Sequence, residues 1–577
     1  MRAQTWVTTL LLVATVAGCG PTTRSAATAS EGTAPAPVAQ PERSKTITIG
    51  GITPITGFEP WASGSTTGGP STVRELNTTG LISADAHGNF APRIAGRMAS
   101  AEDGTLVFLP DGRMQTTLSL RPDVKWHDGA PFTADDAVFG WKVTSHPNVP
   151  PIRSPVFRSV DNVAAPDPLT VVITWKAPFS RYRELGHFAF PLLPRHLLGT
   201  AFEGDMDSFV NLPYWTSENI HLGPFYLADY GLADSAVFKR FEGYFLGAPK
   251  VDTVIFRTVR DPNVLFATLL AGEVDIAAEQ ALAFEHLMQL RDRWQQDGGG
   301  ALATREGVWR FASVQFNPEW ARPPELSRDV QLRRGLYAAL DLPAIREALL
   351  PGFSDSEADT FLEKTDSRNA IVGKPFAGAR YDVTLSRELL AEGAWRAGAD
   401  GRLRNPSGEQ VAFELRTTGN YRQELSIVAQ YWRDLGIDVS ENLMGGALVR
   451  DDEYRVKFPA LELTTQGIGD GTLNRFYGPV IPTPQNRFSG SNSGGYRNPT
   501  FDGLFERLYR TLDEREQSQL LKQMGEIIAT DLPALSIYKE IRAVAVRAGV
   551  RALLGDYAGT GTSGPAIARH AHLWDRD

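Results

Sequence analysis

The sequence predicts an α/β fold divided into several lobes, and three observations carry that expectation. The chain has 577 residues, more than one hydrophobic core accommodates, so roughly two to four lobes are expected. Hydrophobic residues make up 42% of it and charged residues 22%, the balance of an ordinary soluble globular protein. Residues 254–259 read as a strand and residues 263–276 as a helix closing on Gly272-Glu273-Val274-Asp275-Ile276, with a second strand after it. That succession predicts a βαβ unit with parallel pairing.

The N-terminus reads as an export signal, residues 1–18. Arg2 supplies a positive start, and residues 6–17 form an apolar run too short to span a bilayer comfortably. Val16-Ala17-Gly18-Cys19 then resembles a bacterial lipobox, which implies acylation of Cys19 and a lipid anchor on the bacterial cell membrane. An ordinary secretory signal with an incidental cysteine is the alternative. Cys19 is the only cysteine, so neither an intrachain disulfide nor a cysteine metal cluster can form. Residues 19–44 are rich in Thr, Ala, Ser and Pro and read as a flexible tether. No later apolar run reaches the length of a membrane span.

Folded structure begins with the strand TITIGGI at 46–52, followed by a loop at 54–61 carrying Phe58 and Trp61. Residues 90–98, 105–108, 116–120 and 169–175 read as strands. Between them, residues 124–143 spell VKWHDGAPFTADDAVFGWKV. Asp128-Gly129 signals a tight turn. Thr133 opens a helix, with Asp136 at capping-box spacing and Val138 and Trp141 on one apolar face. Residues 327–349 carry Val330, Leu336, Leu340 and Ile345 at helical spacing. A strand at 411–417, a helix at 425–435 and a strand at 437–442 follow.

Several of these segments resemble the signatures of extracytoplasmic solute-binding protein family 5, the oligopeptide, dipeptide and nickel receptors of ABC importers. Trp126, His127, Asp128, Gly129, Pro131, Thr133, Ala134 and Asp136 match its F/W-H-D-G-x-P-x-T-A-x-D segment. Gly223-Pro224-Phe225, then Tyr244, Gly247, Pro249 and Lys250, and later Tyr496, Asn498, Pro499, Asp502 and Leu504 match others, over about residues 46–550. The resemblance implies the type II periplasmic-binding-protein (Venus-flytrap) architecture, two αβ lobes plus a further family 5 lobe. Lobe I would take residues 45–75, 212–308 and 536–577, lobe II residues 76–211, and lobe III residues 309–535. It also implies an importer's receptor, outside the cytoplasm, that captures an oligopeptide-like solute and delivers it to a permease with its ATPase subunits, as a monomer. A signalling lipoprotein with the same fold, a non-peptide solute (sugar, opine or metal chelate) and an extracytoplasmic hydrolase are the alternatives.

The sequence carries no H-E-x-x-H, G-x-S-x-G or P-loop, so no catalytic residue, cofactor or metal site is assigned. Gly559-Thr560-Gly561-Thr562-Ser563-Gly564 fits G-x-G-x-x-G but lacks the βαβ setting that gives it meaning. His570 and His572 are too few for a metal site. His127 and Asp128 read as a structural turn, because adjacent strand residues face opposite ways. A net charge of −9 without a basic block argues against nucleic acid.

The candidate ligand contacts come from the family comparison. Phe58 and Trp61 lie in the loop that borders the ligand cleft in family 5, with packing beneath that loop as the alternative. Peptide-binding members carry W-x-x-D-x-x-D-P in the third lobe, whose first Asp pairs with the ligand's ammonium. Here Thr464 stands for the Trp, Gly467 for the first Asp, and Asp470 for the second. Losing that carboxylate removes a charge-assisted bond of roughly 1.5–3 kcal/mol, so either the ligand lacks a free amine or Asp470 takes over the role. Gln466, Asp470, Tyr477, Tyr496 and Tyr538 complete the candidate set. A long surface loop over 464–495 is the alternative reading.

Overall fold

The computed structural model describes residues 44–61, 69–84, 89–150, 154–231, 234–353, 356–378, 380–446, 448–551 and 567–577. Cys19, the signal and tether, and the 559–564 glycine run lie outside the described residues.

Two long strands, Gly300–Val314 and Ala534–Arg547, run antiparallel through the middle of a ten-stranded sheet. On one side lie Ile276–Ala277, Thr46–Gly51, Thr253–Thr258, Ser235–Arg240 and Phe225–Gly231; on the other lie Leu461–Gly467, Ala412–Thr418 and Asp438–Met444. The long strands serve two cores. Their Ala543–Val546 end packs with Ile47, Ile49, Phe256 and Leu265, while Ala312, Val314, Leu535 and Ile537 pack with Leu336, Leu415 and Trp432. Between the two cores the ladder slips one register, between Glu306 and Val308. Gly307 lies at that slip, where a Cβ would sit 1.9 Å from Arg542 Cγ. The residue has to be small because the partner strand's side chain crosses its face.

The βαβ expectation holds with one refinement. Helix Pro262–Ala271 is capped by the Asp261 carboxylate, which accepts from Asn263 N–H (2.7 Å), and ends at Gly272 with φ of 84°. The strands on either side of it are both parallel, but not to each other as neighbours: Thr46–Gly51 lies between them and pairs with both. The helical pattern at 327–349 resolves into three helices, Glu325–Arg328, Val330–Ala338 and Leu342–Leu349. Asp329 and Asp341 cap the second and third, and Pro343 occupies the first turn of the third.

A separate antiparallel sheet orders Leu106–Phe108, Met114–Ser119, Thr170–Trp175 and Val160–Asp167. Helix Ala134–Thr144 packs on it, and Asp136 explains the signature in front of that helix. Its buried carboxylate accepts from Thr133 N–H (3.0 Å), Trp126 Nε1 (3.2 Å) and Arg195 N–H (2.9 Å). One side chain thereby fixes the turn, the helix start and the start of helix Arg195–Phe202. His127 is equally structural: Nδ1 accepts from His221 N–H (3.1 Å), which leaves Nε2 to donate to the Gly223 carbonyl (2.9 Å).

Burial pushes the imidazoles of His127 down to about 4 and His187 to about 3, and lowers His221 well below the ordinary value of 6.5. The unfolded chain therefore takes up protons first. Stability is complete above about pH 6.5 and is lost as pH falls toward 4, at up to about 1.4 kcal/mol per pH unit for each imidazole. We expect the urea midpoint to drop between pH 7 and pH 5, and His127→Gln to flatten that slope. An unchanged slope in the variant would place the titration elsewhere.

Candidate binding site

The small sheet's following segment meets the large-sheet region around Arg181. Its guanidinium holds Glu184 through two bonds, Nε–Oε1 at 2.6 Å and Nη2–Oε2 at 2.5 Å, with both side chains largely buried. The spacing of three residues places both on one turn. Across the junction, Arg181 Nη1 donates to the Tyr509 hydroxyl (3.3 Å), its guanidinium lies 5.7 Å from the Tyr509 ring centroid, and Ser180 N–H donates to the Tyr509 carbonyl (2.7 Å). Tyr509 belongs to helix Pro499–Arg510, which Asn498 caps through Phe501 N–H (3.1 Å).

Asp470 approaches the same place from the end of strand Leu461–Gly467. Arg368 Nη1 donates to its Oδ2 (2.9 Å) while the rest of that guanidinium holds Asp366 at 2.7–3.2 Å. Burial opposes the charge on Asp470, but Arg368 and then Arg181 outweigh it and hold the carboxyl below its usual range. Gly471 follows, its Cβ direction 3.7 Å from Arg181 Nη1. Two arginines and three carboxylates thus interlock where the regions touch.

Arg181 and Glu184 also divide two cavities. Behind Glu184 lies a partly open space of about 110 Å³, walled by Thr78, Thr79, Arg93, His187 and Tyr244 among others. His187 Nε2 and Thr78 Oγ1 are buried there without a hydrogen-bond partner among the described residues, and the space is large enough for several waters or a small polar group. In front of Arg181 lies an open cleft of about 360 Å³.

The sequence-derived candidates are scattered over the structure. Asp470 lies in the junction and Tyr477 lines the open cleft, its hydroxyl donating to Glu506 (3.1 Å). Gln466 stands half-buried on its strand opposite Trp309. Phe58 packs edge-on to Tyr230 and Phe238, and Trp61 edge-on to Trp215 at 4.8 Å; neither borders the two cavities. Tyr496 is buried, hydrogen-bonded to Asp531 and Asn498, and Tyr538 is buried in the core beside Leu535 and Ile537. Sequence reasoning missed Arg181, Glu184, Arg368 and Tyr509. The Arg181–Glu184 spacing was visible; the long-range partners were not.

The profile described as bacterial extracellular solute-binding proteins, family 5 middle region, matches residues 107–478. The chain belongs to family 5. The oligopeptide-binding protein AppA of Bacillus subtilis is 24% identical over 434 residues, covering 74% of this chain and 76% of that protein. Among solved structures, the oligopeptide-binding protein of Thermus thermophilus, complexed with a pentapeptide, superposes with a TM-score of 0.69 at 21% identity, covering 92% of this chain and 96% of the other. NikA of Brucella suis, in complex with Fe(III)-EDTA, gives 0.73 at 18% identity, covering 92% and 100%. The fold is that of a type II binding protein. Family 5 proteins are extracytoplasmic solute-binding proteins of ABC transporters, and binding rather than catalysis is their common activity. Among the described residues, no helix is long and apolar enough to cross a membrane, and no group of three or more His, Cys, Asp or Glu could hold a metal ion.

Proposed function

We propose that this chain is the substrate-binding component of an ABC importer, tethered outside the cytoplasm through a lipid on Cys19, and that its solute is oligopeptide-like. The three-lobe division given above is part of this reading, with the long strands Gly300–Val314 and Ala534–Arg547 as the hinge. A solute touching both sides binds the closed form better and so shifts the population toward it, the form a permease can distinguish.

The observation that carries the peptide reading is an open strand edge. Among the described residues, 464–467 pair along the sheet only with residues 308–311, because the ladder to the parallel strand Ala412–Thr418 stops at Leu461 and Glu462. An extended peptide can add there as a further strand, its main chain supplying affinity and its side chains left to tolerant pockets. Gln466 lies on that edge, and Tyr477 lines the cleft beyond it. Relatives named for oligopeptides, and a solved relative holding a pentapeptide, support the same reading.

Asp470 favours a second reading. Its carboxylate is engaged by Arg368, so a ligand ammonium would have to displace that guanidinium. A solute without a free amine, such as a sugar, an opine or a metal chelate, avoids the exchange. Native mass spectrometry of the purified protein separates the two: a ladder of short co-purifying peptides is expected, and a single non-peptide mass would overturn the peptide assignment.

A further inference from the structure

We propose that the open cleft in front of Arg181 is a binding site for an aromatic carboxylate, formed jointly by the small-sheet and large-sheet regions. The proposal goes beyond the peptide reading and does not require the transported solute to be a peptide.

The first ground is an aromatic wall that crosses the junction. Trp175 and Phe179 stack at 5.4 Å and 25°, and Phe179 and Tyr509 at 6.1 Å and 17°. Tyr509 then meets Phe505 at 4.8 Å, and Phe505 stacks on Tyr477 at 4.5 Å and 23°. Four of these rings, all but Trp175, line the cleft. A planar ligand can extend such a series by offset stacking, which aromatic pairs favour. The cavity volume of about 360 Å³ suits a group of one or two rings.

The second ground is charge. Arg158, Lys176 and Arg510 line the opening and are exposed, against a single lining carboxylate, Glu506. Arg181 also lines the cleft, but Glu184 neutralises it. Lys176 Nζ donates to the Arg158 carbonyl (2.8 Å), a bond that leaves its charge uncompensated. Neither the Arg158 nor the Arg510 guanidinium has a carboxylate partner among the described residues. The acidic groups nearby do not cancel this excess: Asp366 and Asp470 are committed to Arg368. In a chain with a net charge of −9, a local excess of cations over an aromatic floor selects a flat anion. A neutral aromatic would gain the stacking alone, and a small inorganic anion the charge alone.

The test uses the mature full-length protein and 2-naphthoate as probe, with 2-naphthylmethanol as its uncharged counterpart. By isothermal titration at low salt, naphthoate is expected to bind about tenfold tighter than the alcohol, with a preference that shrinks as salt screens the rim. Arg158→Gln with Arg510→Gln, both at exposed positions, should erase the preference while leaving the alcohol's affinity and the thermal midpoint unchanged. Ala177→Trp, which fills the cleft, should abolish binding of both. The proposal is overturned if naphthoate binds no better than the alcohol, if the double variant keeps the preference, or if the Ala177→Trp protein still binds. Competition identifies the natural source. Displacement of the co-purified solute by naphthoate assigns the cleft to a group of that solute, and simultaneous binding assigns it to a separate aromatic acid; both outcomes support the site. Failure of the peptide assignment in native mass spectrometry leaves these results untouched.

Discussion

Glu424→Leu is expected to destabilise the protein by about 3–5 kcal/mol, the cost of leaving a buried charge without its partner. Glu424 sits in the first turn of helix Arg422–Arg433 and is 1% exposed, as is Arg310 on the long strand Gly300–Val314. Arg310 Nε donates to Oε1 at 3.1 Å, and Nη2 donates to Oε2. The guanidinium carbon also lies over the Tyr421 ring, 3.7 Å from its centroid, and the Tyr421 hydroxyl donates to Glu540 (2.9 Å). Burial raises the Glu424 carboxyl above its ordinary range while Arg310 opposes that rise, and the two bonds keep the carboxylate as the guanidinium's partner. Removing the carboxylate alone leaves the buried cation beside Tyr421 and Tyr538 without its partner. Replacing both, as Arg310→Met with Glu424→Leu, removes the charges together and is expected to recover most of the loss. Urea denaturation of the two single variants and the double variant measures the coupling. A double variant as unstable as the sum of the singles would mean the residues act independently.

What the sequence disclosed follows the reach of each interaction. Asp136 was legible because a capping box is a local pattern, and its carboxylate does tie the helix start to Thr133. The break of residues 327–349 into three helices was also local, written in Asp329, Asp341 and Pro343, but the apolar spacing masked it. The long strands pair Gly300 with Arg547, and nothing near either end announces the other. The site divides the same way. Asp470 was found because a family pattern marks its position, yet its partner Arg368 stands 102 positions away. A free carboxylate and a consumed one look identical in sequence. Phe58 and Trp61 illustrate the converse, since an aromatic at a cleft-bordering loop and one packed under that loop share the same local context.

Arg368→Met tests how much the junction depends on that consumed charge. The variant leaves Asp366 and Asp470 facing each other, both less than one-fifth exposed, without the cation that separates them. A loss of about 2–4 kcal/mol is expected at pH 7, toward the lower part of the range for buried pairs because solvent still reaches the edge. The sign of the pH dependence is distinctive. In the native protein Asp470 is held below the usual carboxylate range, so its contribution persists above the unfolded value near 3.9 and fades only as pH falls through the lower folded value. Without Arg368, burial is the dominant influence left and lifts that carboxyl above its unfolded value. The variant's deficit then grows as pH rises through the raised value and shrinks as the site is protonated. Urea midpoints of the two proteins should therefore converge between pH 7 and pH 4.5. A deficit that stays constant across that range would mean Arg368 supports the junction through packing rather than charge. The same variant bears on ligand selection: with Arg368 gone, Asp470 is free, and a receptor indifferent to amines should gain affinity for peptides with a free N-terminus over their acetylated forms.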